Sequence, residues 1–416
     1  MKKIICFLSL LSVMALPSCL KDKLTKTYTV LEPVYKDKAE VLAAIGSSTA
    51  TEIASPGKIY QYGNYIFLNE INKGVHIIDN SNPSSPVQKA FIQIPGNIDI
   101  AVKGNTLYAD LYTDMLAIDI TDPLHTRLLK VLPKIFPERF YSNGFIPDTT
   151  KVIVDWISKK VTVPLDDPGN AWPCANCMFF DMSLRSGPAS AAAAPGVAAG
   201  GSMARFAIVN NNLYAVNNSF LKIIDISNTP DPVETGSYYA GWNIETIYPF
   251  KQKLFLGSSS GMFVFNINNP SSPVREGSFS HARACDPVVA DDNYAFVTLR
   301  TGTFCSGTNN ELDVINIQNV LSPSLVKMYS MTNPFGLAKD GNLLFVCDGK
   351  SGLKIYNASD VMNLQMIKHI KDYETYDVIA GNSRLLLVAK DGLYQYDYSN
   401  VNNIRQLSRI EITTNK

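Results

Sequence analysis

Short apolar runs recur along the chain, and each closes on Asp or Asn. GVHIIDNSNPSSPV spans 74–87, LKIIDISNTPDPV spans 221–233 and MFVFNINNPSSPV spans 262–274. Aligned on the last residue of the run, the copies fall at Asp79, Asp119, Asp225, Asn266, Asn316, Asn357 and Asp397. Their spacings are 40, 106, 41, 50, 41 and 40 residues. The long gap contains MFFDMS, with Asp181 at the aligned position, and TTKVIVDW upstream as its partner strand; the gap then divides into 62 and 44. That makes eight copies, one of them interrupted.

Each copy predicts four short strands. In the second these are DIAVKG, TLYADLY, MLAIDI and TRLLKVL, alternating or continuously apolar as in sheets packed on both faces. The tripeptides KGN, NNN, DGN and AGN supply hairpin turns, because Asn, Asp and Gly tolerate positive φ. Proline stays between strands, where its missing N–H costs no ladder bond. A period near 40 with four strands per copy predicts an all-β protein, a β-propeller with one blade per repeat. Eight blades are expected, or seven if the interrupted copy does not close a sheet. One propeller domain is expected over 37–416, with an insertion at 157–202. RQLSRIEI is expected to supply the outer strand of the last blade, and KTYTVLEPVY (26–35) to latch onto it instead or in addition. A short helix is expected within 37–45.

The recurring Asp or Asn ends the third strand of each copy. There its side chain can accept the N–H two residues on, an Asx-turn. A residue needed in every blade serves the blade, so these eight positions are poor catalytic candidates. GVHIIDNSNPSSPV, LKIIDISNTPDPV and LAIDITDP resemble LVIVD repeats, which occur in secreted and surface bacterial proteins. SPGKIYQYGNYIFLNEINKGVHIIDNSNPSSPV, IPGNIDIAVKGNTLYADLYTDMLAIDITDP and GGSMARFAIVNNNLYAV are similar, more narrowly, to lipoproteins of the Bacteroidetes type. The resemblance covers nearly all of the chain after its leader. It implies a propeller on a lipid anchor and carries no activity with it.

The first residues read as an address. MKK is a positive start, IICFLSLLSVMAL an apolar stretch too short to span a bilayer, and LPSC ends at Cys19. A small residue before a Cys at this distance resembles a bacterial lipobox, which implies a signal peptide over 1–18 and lipidation of Cys19. Residues 19–36 then read as the lipidated Cys and a tether. The expected location is the outer membrane or cell surface, lipid-anchored, or facing the periplasm, with the membrane reached through the N-terminal lipid only.

Charge narrows the partners. Thirty-seven basic and thirty-seven acidic residues give a formal net charge of zero, against the basic excess of a nucleic-acid binder. Five Cys lie beyond the leader and Cys19. Export permits disulfides. Cys174 and Cys177, in WPCANC, are expected to pin the insertion, and Cys285 and Cys305 to clamp the RTGTFCSGTNNEL loop. Cys347, in LLFVCDG, reads as a buried small hydrophobe. The CxxC offers only two zinc ligands and no following His. GSSSG (257–261) matches GxSxG but joins two strands, whereas that motif works as a strand-to-helix elbow. RSGPASAAAAPGVAAGG (185–201) is low-complexity and reads as a surface loop.

Counting back six or seven residues from each first hairpin turn reaches the start of the innermost strand. The residues there are Lys58, Asp99, Arg205, Glu245, Asp286, Phe335 and Asp377, with Trp242 and Arg283 in adjoining loops. Polar groups converging on a concave mouth suit a ligand site. The carboxylates of Asp99, Glu245, Asp286 and Asp377 are oxygen donors of the kind calcium takes; no other cofactor motif is present. The function expected is a non-catalytic binding or scaffold module for a protein or glycan. An extracytoplasmic hydrolase or lyase at the channel mouth is the alternative.

Overall fold

A computed structural model of the chain describes residues 25–137, 148–164, 178–179, 202, 204–281, 287–301 and 309–413. Seven four-strand antiparallel modules follow one another among these residues. The first orders Pro56–Tyr62, Tyr65–Glu70, Gly74–Asp79 and Val87–Gln93, with Ser47–Thr49 added outside the last strand. The second runs through Ile100–Lys103, Thr106–Leu111, Asp114–Asp119 and Arg127–Leu132, as the apolar pattern implies.

The third and fourth modules share one six-stranded sheet. Phe206–Val209 begins it. The long strand Asn212–Asp225 bends at Asn218 (φ 50°) and so serves as second and third strand of the third module. Val233–Phe250 ends that module and, past Gly241 and Asn243, becomes the inner strand of the next. Lys253–Ser258, Gly261–Asn266 and Val274–Ser280 complete the fourth. The fifth comprises Val288–Ala290, Tyr294–Leu299, Glu311–Asn316 and Ser324–Ser330. The sixth comprises Leu337–Asp340, Leu343–Cys347, Leu353–Asn357 and Gln365–Ile370. The seventh comprises Thr375–Gly381, Arg384–Ala389, Gly392–Asp397 and Arg405–Glu411, so RQLSRIEI is indeed the outer strand of the last module.

The modules obey one local recipe. First turns place Gly63, Gly104, Asn210, Gly341 and Asn382 at φ between 52° and 56°, the left-handed conformation that short hairpins demand. The middle strands carry the apolar load: Ile66–Leu68, Leu107–Ala109, Leu254–Leu256 and Leu385–Leu387 are all buried. In every module the pairing of third with fourth strand shifts register just before the terminal Asp or Asn, as between Ile77 and Ile78 or Ile355 and Tyr356. Such bulges increase strand twist.

Inner strands lie against one another in order. Ile100–Lys103 contacts Pro56–Tyr62 on one side and Phe206–Val209 on the other; Leu337–Asp340 contacts Val288–Ala290 and Thr375–Gly381. The last module packs on the first through Ile379, Leu386, Val388 and Leu393 against Ile59, Ile66, Leu68 and Ile78. A strap completes this closure. After the helix α1 (Lys38–Ala43), Gly46 bridges Arg127 and Ser47–Thr49 pairs with Ala90–Ile92. Ile53 then inserts into the seam, where its carbonyl accepts the Thr413 N–H at 2.7 Å.

Strand Thr25–Asp37 corrects two expectations. It does not join the last module. It lies between Lys151–Pro164 and Met178–Phe179, pairing Val30 with Phe179 and Leu31 with Met178. The stretch read as a tether over 19–36 is therefore strand from Thr25 onward. The described residues of 1–34 and 156–180 form one compact unit, and those of 35–155 and 181–416 another. Among the described residues no helix is long and apolar enough to cross a membrane.

Candidate functional site

Antiparallel order gives each module two ends. One carries the first-to-second and third-to-fourth turns and will be called the repeat end. The other carries the second-to-third turns and the links to the next module, the link end.

At the repeat end the recurring Asp and Asn do one thing. Asp79 Oδ1 accepts the Ser81 N–H at 3.0 Å, Asp119 the Thr121 N–H at 3.0 Å and Asp225 the Ser227 N–H at 2.8 Å. Asn266, Asn316, Asn357 and Asp397 accept from Asn268, Gln318, Ser359 and Ser399 at 2.7–3.0 Å. All seven are Asx-turns; Asp181 lies outside the described residues. Hydrogen bonds from Ser81, Thr121 and Ser227 hold Asp79, Asp119 and Asp225 below the usual carboxylate range. A second Asx-turn often follows, as at Asn82 and Asp122. These carboxylates fix turns and are spread one per module.

A second carboxylate series escaped the sequence reading. Glu70, Asp110 and Asp348 end second strands, at the link end. Asp110 Oδ1 accepts the N–H groups of Ile98 and Asp99 at 2.8 and 3.0 Å, and Asp348 Oδ1 those of Thr332 and Asn333 at 2.9 and 2.8 Å. Glu70 Oε1 accepts from Ser55 at 2.7 Å, while its Oε2 meets His76 Nε2 at 3.2 Å. Each carboxylate caps the chain just before an inner strand. The signal was present in LNE, YAD and VCD, one or two residues beyond each apolar run.

The inner-strand residues do converge. Lys58 is almost wholly buried, and burial pushes its ammonium down to about 8; Asp99, Arg205, Asp377 and Glu245 all act on it electrostatically. Burial raises Asp99, opposed by Lys58 and by backbone N–H groups. Burial also raises Glu245, opposed by Arg205, Arg300 and Lys58. Arg300, which sequence counting missed because it ends a second strand, is lowered to about 10 by burial, with Glu245 opposing. Its guanidinium lies 3.8 Å from the centroid of the Phe335 ring. Ser202 also reaches this region: its Oγ accepts the Leu337 N–H at 3.1 Å.

The members differ in what they can still offer. Asp99 uses both oxygens on backbone, accepting from Ile100 at 2.7 Å and from Arg205 and Phe206. It stitches the second module to the third. Asp377 is fully buried and accepts from Val378 at 2.8 Å. Arg205 and Glu245 are half-buried. Trp242 is 64% exposed. Arg283 and Asp286 lie outside the described residues, as do Cys19, Cys174, Cys177, Cys285 and Cys305. Cys347 is buried and free. GSSSG is a tight hairpin between paired strands, with Ser258 opposite Gly261. Among the described residues no three His, Cys, Asp or Glu side chains come close enough to hold a metal ion, so Asp99, Glu245 and Asp377 alone do not make the calcium site their charges implied.

Two segments, 57–92 and 200–240, match the LVIVD repeat. The first spans the first module and the second spans the third. Similar folds occur among solved structures. A protein from Lactobacillus plantarum is 10% identical, with a TM-score of 0.52 over 94% of this chain and 97% of its own. The computationally designed Ika8 protein is 10% identical, TM-score 0.51, over 89% and 92%. Sqt1 of Saccharomyces cerevisiae is 9% identical, TM-score 0.50, over 89% of each. Identities this low speak to architecture alone. No curated protein matches the chain by sequence. The chain carries the LVIVD repeat and is built as an all-β, propeller-like protein.

Proposed function

We propose that this protein is a lipid-anchored, extracytoplasmic, non-catalytic binding module of the Bacteroidetes lipoprotein type. Its ligand, a protein or glycan, sits at the link end of the ring. The observation that carries this reading is the convergence of Lys58, Arg205, Glu245 and Arg300 from different modules onto one small region. Charges of mixed sign, buried or half-buried, are costly to collect and are not needed to close a β-sheet. We read the ring as seven-bladed. That count rests on Ile100–Lys103 lying directly against Phe206–Val209, with the interrupted copy left out of the circle.

Anchoring rests on the leader and Cys19. Cell fractionation tests it: Cys19→Ser should move the protein from the membrane to the soluble fraction, and retention in the membrane would contradict it. Binding is tested on a glycan array and by pull-down from an outer-membrane extract. The Arg205→Ala/Glu245→Ala double variant should lose what the wild type retains. Equal retention by both proteins would refute the site.

A further inference from the structure

The link between the third and fourth modules carries an aromatic feature that the repeat does not require. Phe220 pairs with Tyr239, and Asn218 pairs with Ile244, so Ala240–Asn243 bulges out opposite Ser219 alone. Three constraints hold the bulge in shape. Gly241 has φ 150°, and a Cβ there would lie 2.5 Å from Phe263 Cε2, so the backbone rests directly on that ring. Asn243 adopts φ 48°, and its carbonyl accepts the Ser259 N–H at 3.1 Å. The Tyr239 ring packs edge-on against Phe220, with centroids 6.0 Å apart.

This rigid bulge presents two large rings to solvent, Tyr239 and Trp242, each 64% exposed. The indole of Trp242 has no hydrogen-bond or ring partner among the described residues. No Asp, Glu, Lys or Arg occurs between Glu234 and Glu245. Trp242 precedes Glu245 by three residues, so their Cα atoms are within roughly 11 Å of each other. An uncharged aromatic shelf therefore adjoins a cluster in which, among the described residues, Lys58, Arg205 and Arg300 are matched by Asp99, Glu245 and Asp377.

We infer that this shelf stacks the rings of an uncharged oligosaccharide whose hydroxyls reach Arg205 and Glu245. The inference rests on the binding-module reading and names its ligand class. Indole and phenol faces suit the C–H faces of a pyranose, while their N–H and O–H groups meet its hydroxyls. A charge-matched cluster has little net field for an ionic ligand, yet it supplies strong donors and acceptors side by side, the pattern a row of hydroxyls needs. A protein partner usually covers about 800 Å² per side. Two rings, each burying roughly 150–250 Å², fall short of that and fit one or two sugar units.

The test titrates the full chain, purified in detergent, with maltohexaose, cellohexaose, xylohexaose and mannohexaose, reading Trp fluorescence and binding heat. At least one hexaose should bind saturably. Trp242→Ala should weaken it by about 30-fold, and Trp242→Phe should restore most of the affinity. Thermal unfolding should be unchanged by either, since the ring is exposed. If no hexaose binds the wild type, or if Trp242→Ala binds as well as wild type, the saccharide assignment is overturned. The binding-module reading is judged separately. It survives if Arg205→Ala/Glu245→Ala abolishes capture of a surface protein that Trp242→Ala still captures, and falls if neither variant changes any capture.

Discussion

The two ends of the ring contrast in how far the copies agree. At the repeat end, the turn between third and fourth strands is seven residues long in each of the seven modules. The Asx-turn bond at its start varies only from 2.7 to 3.0 Å. At the link end, one connection runs from 240 to 243 and another from 133 to 205. The mixed-sign charge cluster lies at one end: Lys58, Glu245 and Arg300 are at the link end. A repeat keeps identical what every blade needs. Where copies diverge, the chain carries groups that packing does not explain.

The largest effect expected from a single substitution falls at the link end, on the structural carboxylate rather than the cluster. Glu70→Ala leaves the N–H of Ser55 and the buried ring of His76 without their acceptor. It also loosens the strap where Ile53 closes the ring. Urea unfolding should show a loss of about 3–5 kcal/mol. A loss below 1 kcal/mol would mean that the strap is not held through Glu70.

Lys58 comes next. Its ammonium is lowered in the folded state to about 8, so between that pH and its ordinary value the unfolded chain binds more protons than the native one. Stability from this group therefore rises as pH increases from 8 toward 10. Melting temperatures across that range should rise in the wild type, and the rise should vanish in Lys58→Met. Asp313 works in the opposite direction. It is buried, with its carboxyl raised to about 6 by burial and by Glu311, so its contribution is present below the ordinary carboxylate value and fades as pH rises through 6. Asp313→Asn should flatten the Tm profile between pH 4.5 and 6.5; an unchanged slope would assign it to other carboxylates.

Single Asx-turn substitutions should do least. Asp79→Ala removes two short bonds at an exposed turn. Its Tm should fall by less than that of Glu70→Ala, with no change in ligand binding. Combining it with Asp225→Ala and Asp397→Ala should add the three falls, because the sites lie in separate modules.

Much of this was legible in the residues. The period, the four strands per copy, the Asx role of Asp79 and its counterparts and the short helix all follow from local chemistry, and local chemistry was what the repeat preserved. Counting back from Gly104 or Asn382 reached the inner-strand charges for the same reason. Arg300 was not reachable, because it enters the cluster from a second strand, through folding rather than register. Thr25–Asp37 was placed on the last module because both edges are apolar and β-prone. Choosing between two such partners depends on where the chain travels, which no short window of sequence encodes. Tyr239 was overlooked since an aromatic in a strand usually faces the core; its exposure comes from the bulge at Gly241.

The contrast between the ends is tested most directly by one paired measurement. Binding on the glycan array and Tm are recorded for Asp79→Ala/Asp225→Ala/Asp397→Ala and for Arg205→Ala/Glu245→Ala. The first set should lower Tm and keep binding; the second should lose binding and keep Tm within a few degrees. Loss of binding in the Asx-turn set, with binding intact in the Arg205/Glu245 set, would contradict the assignment of ligand recognition to the link end.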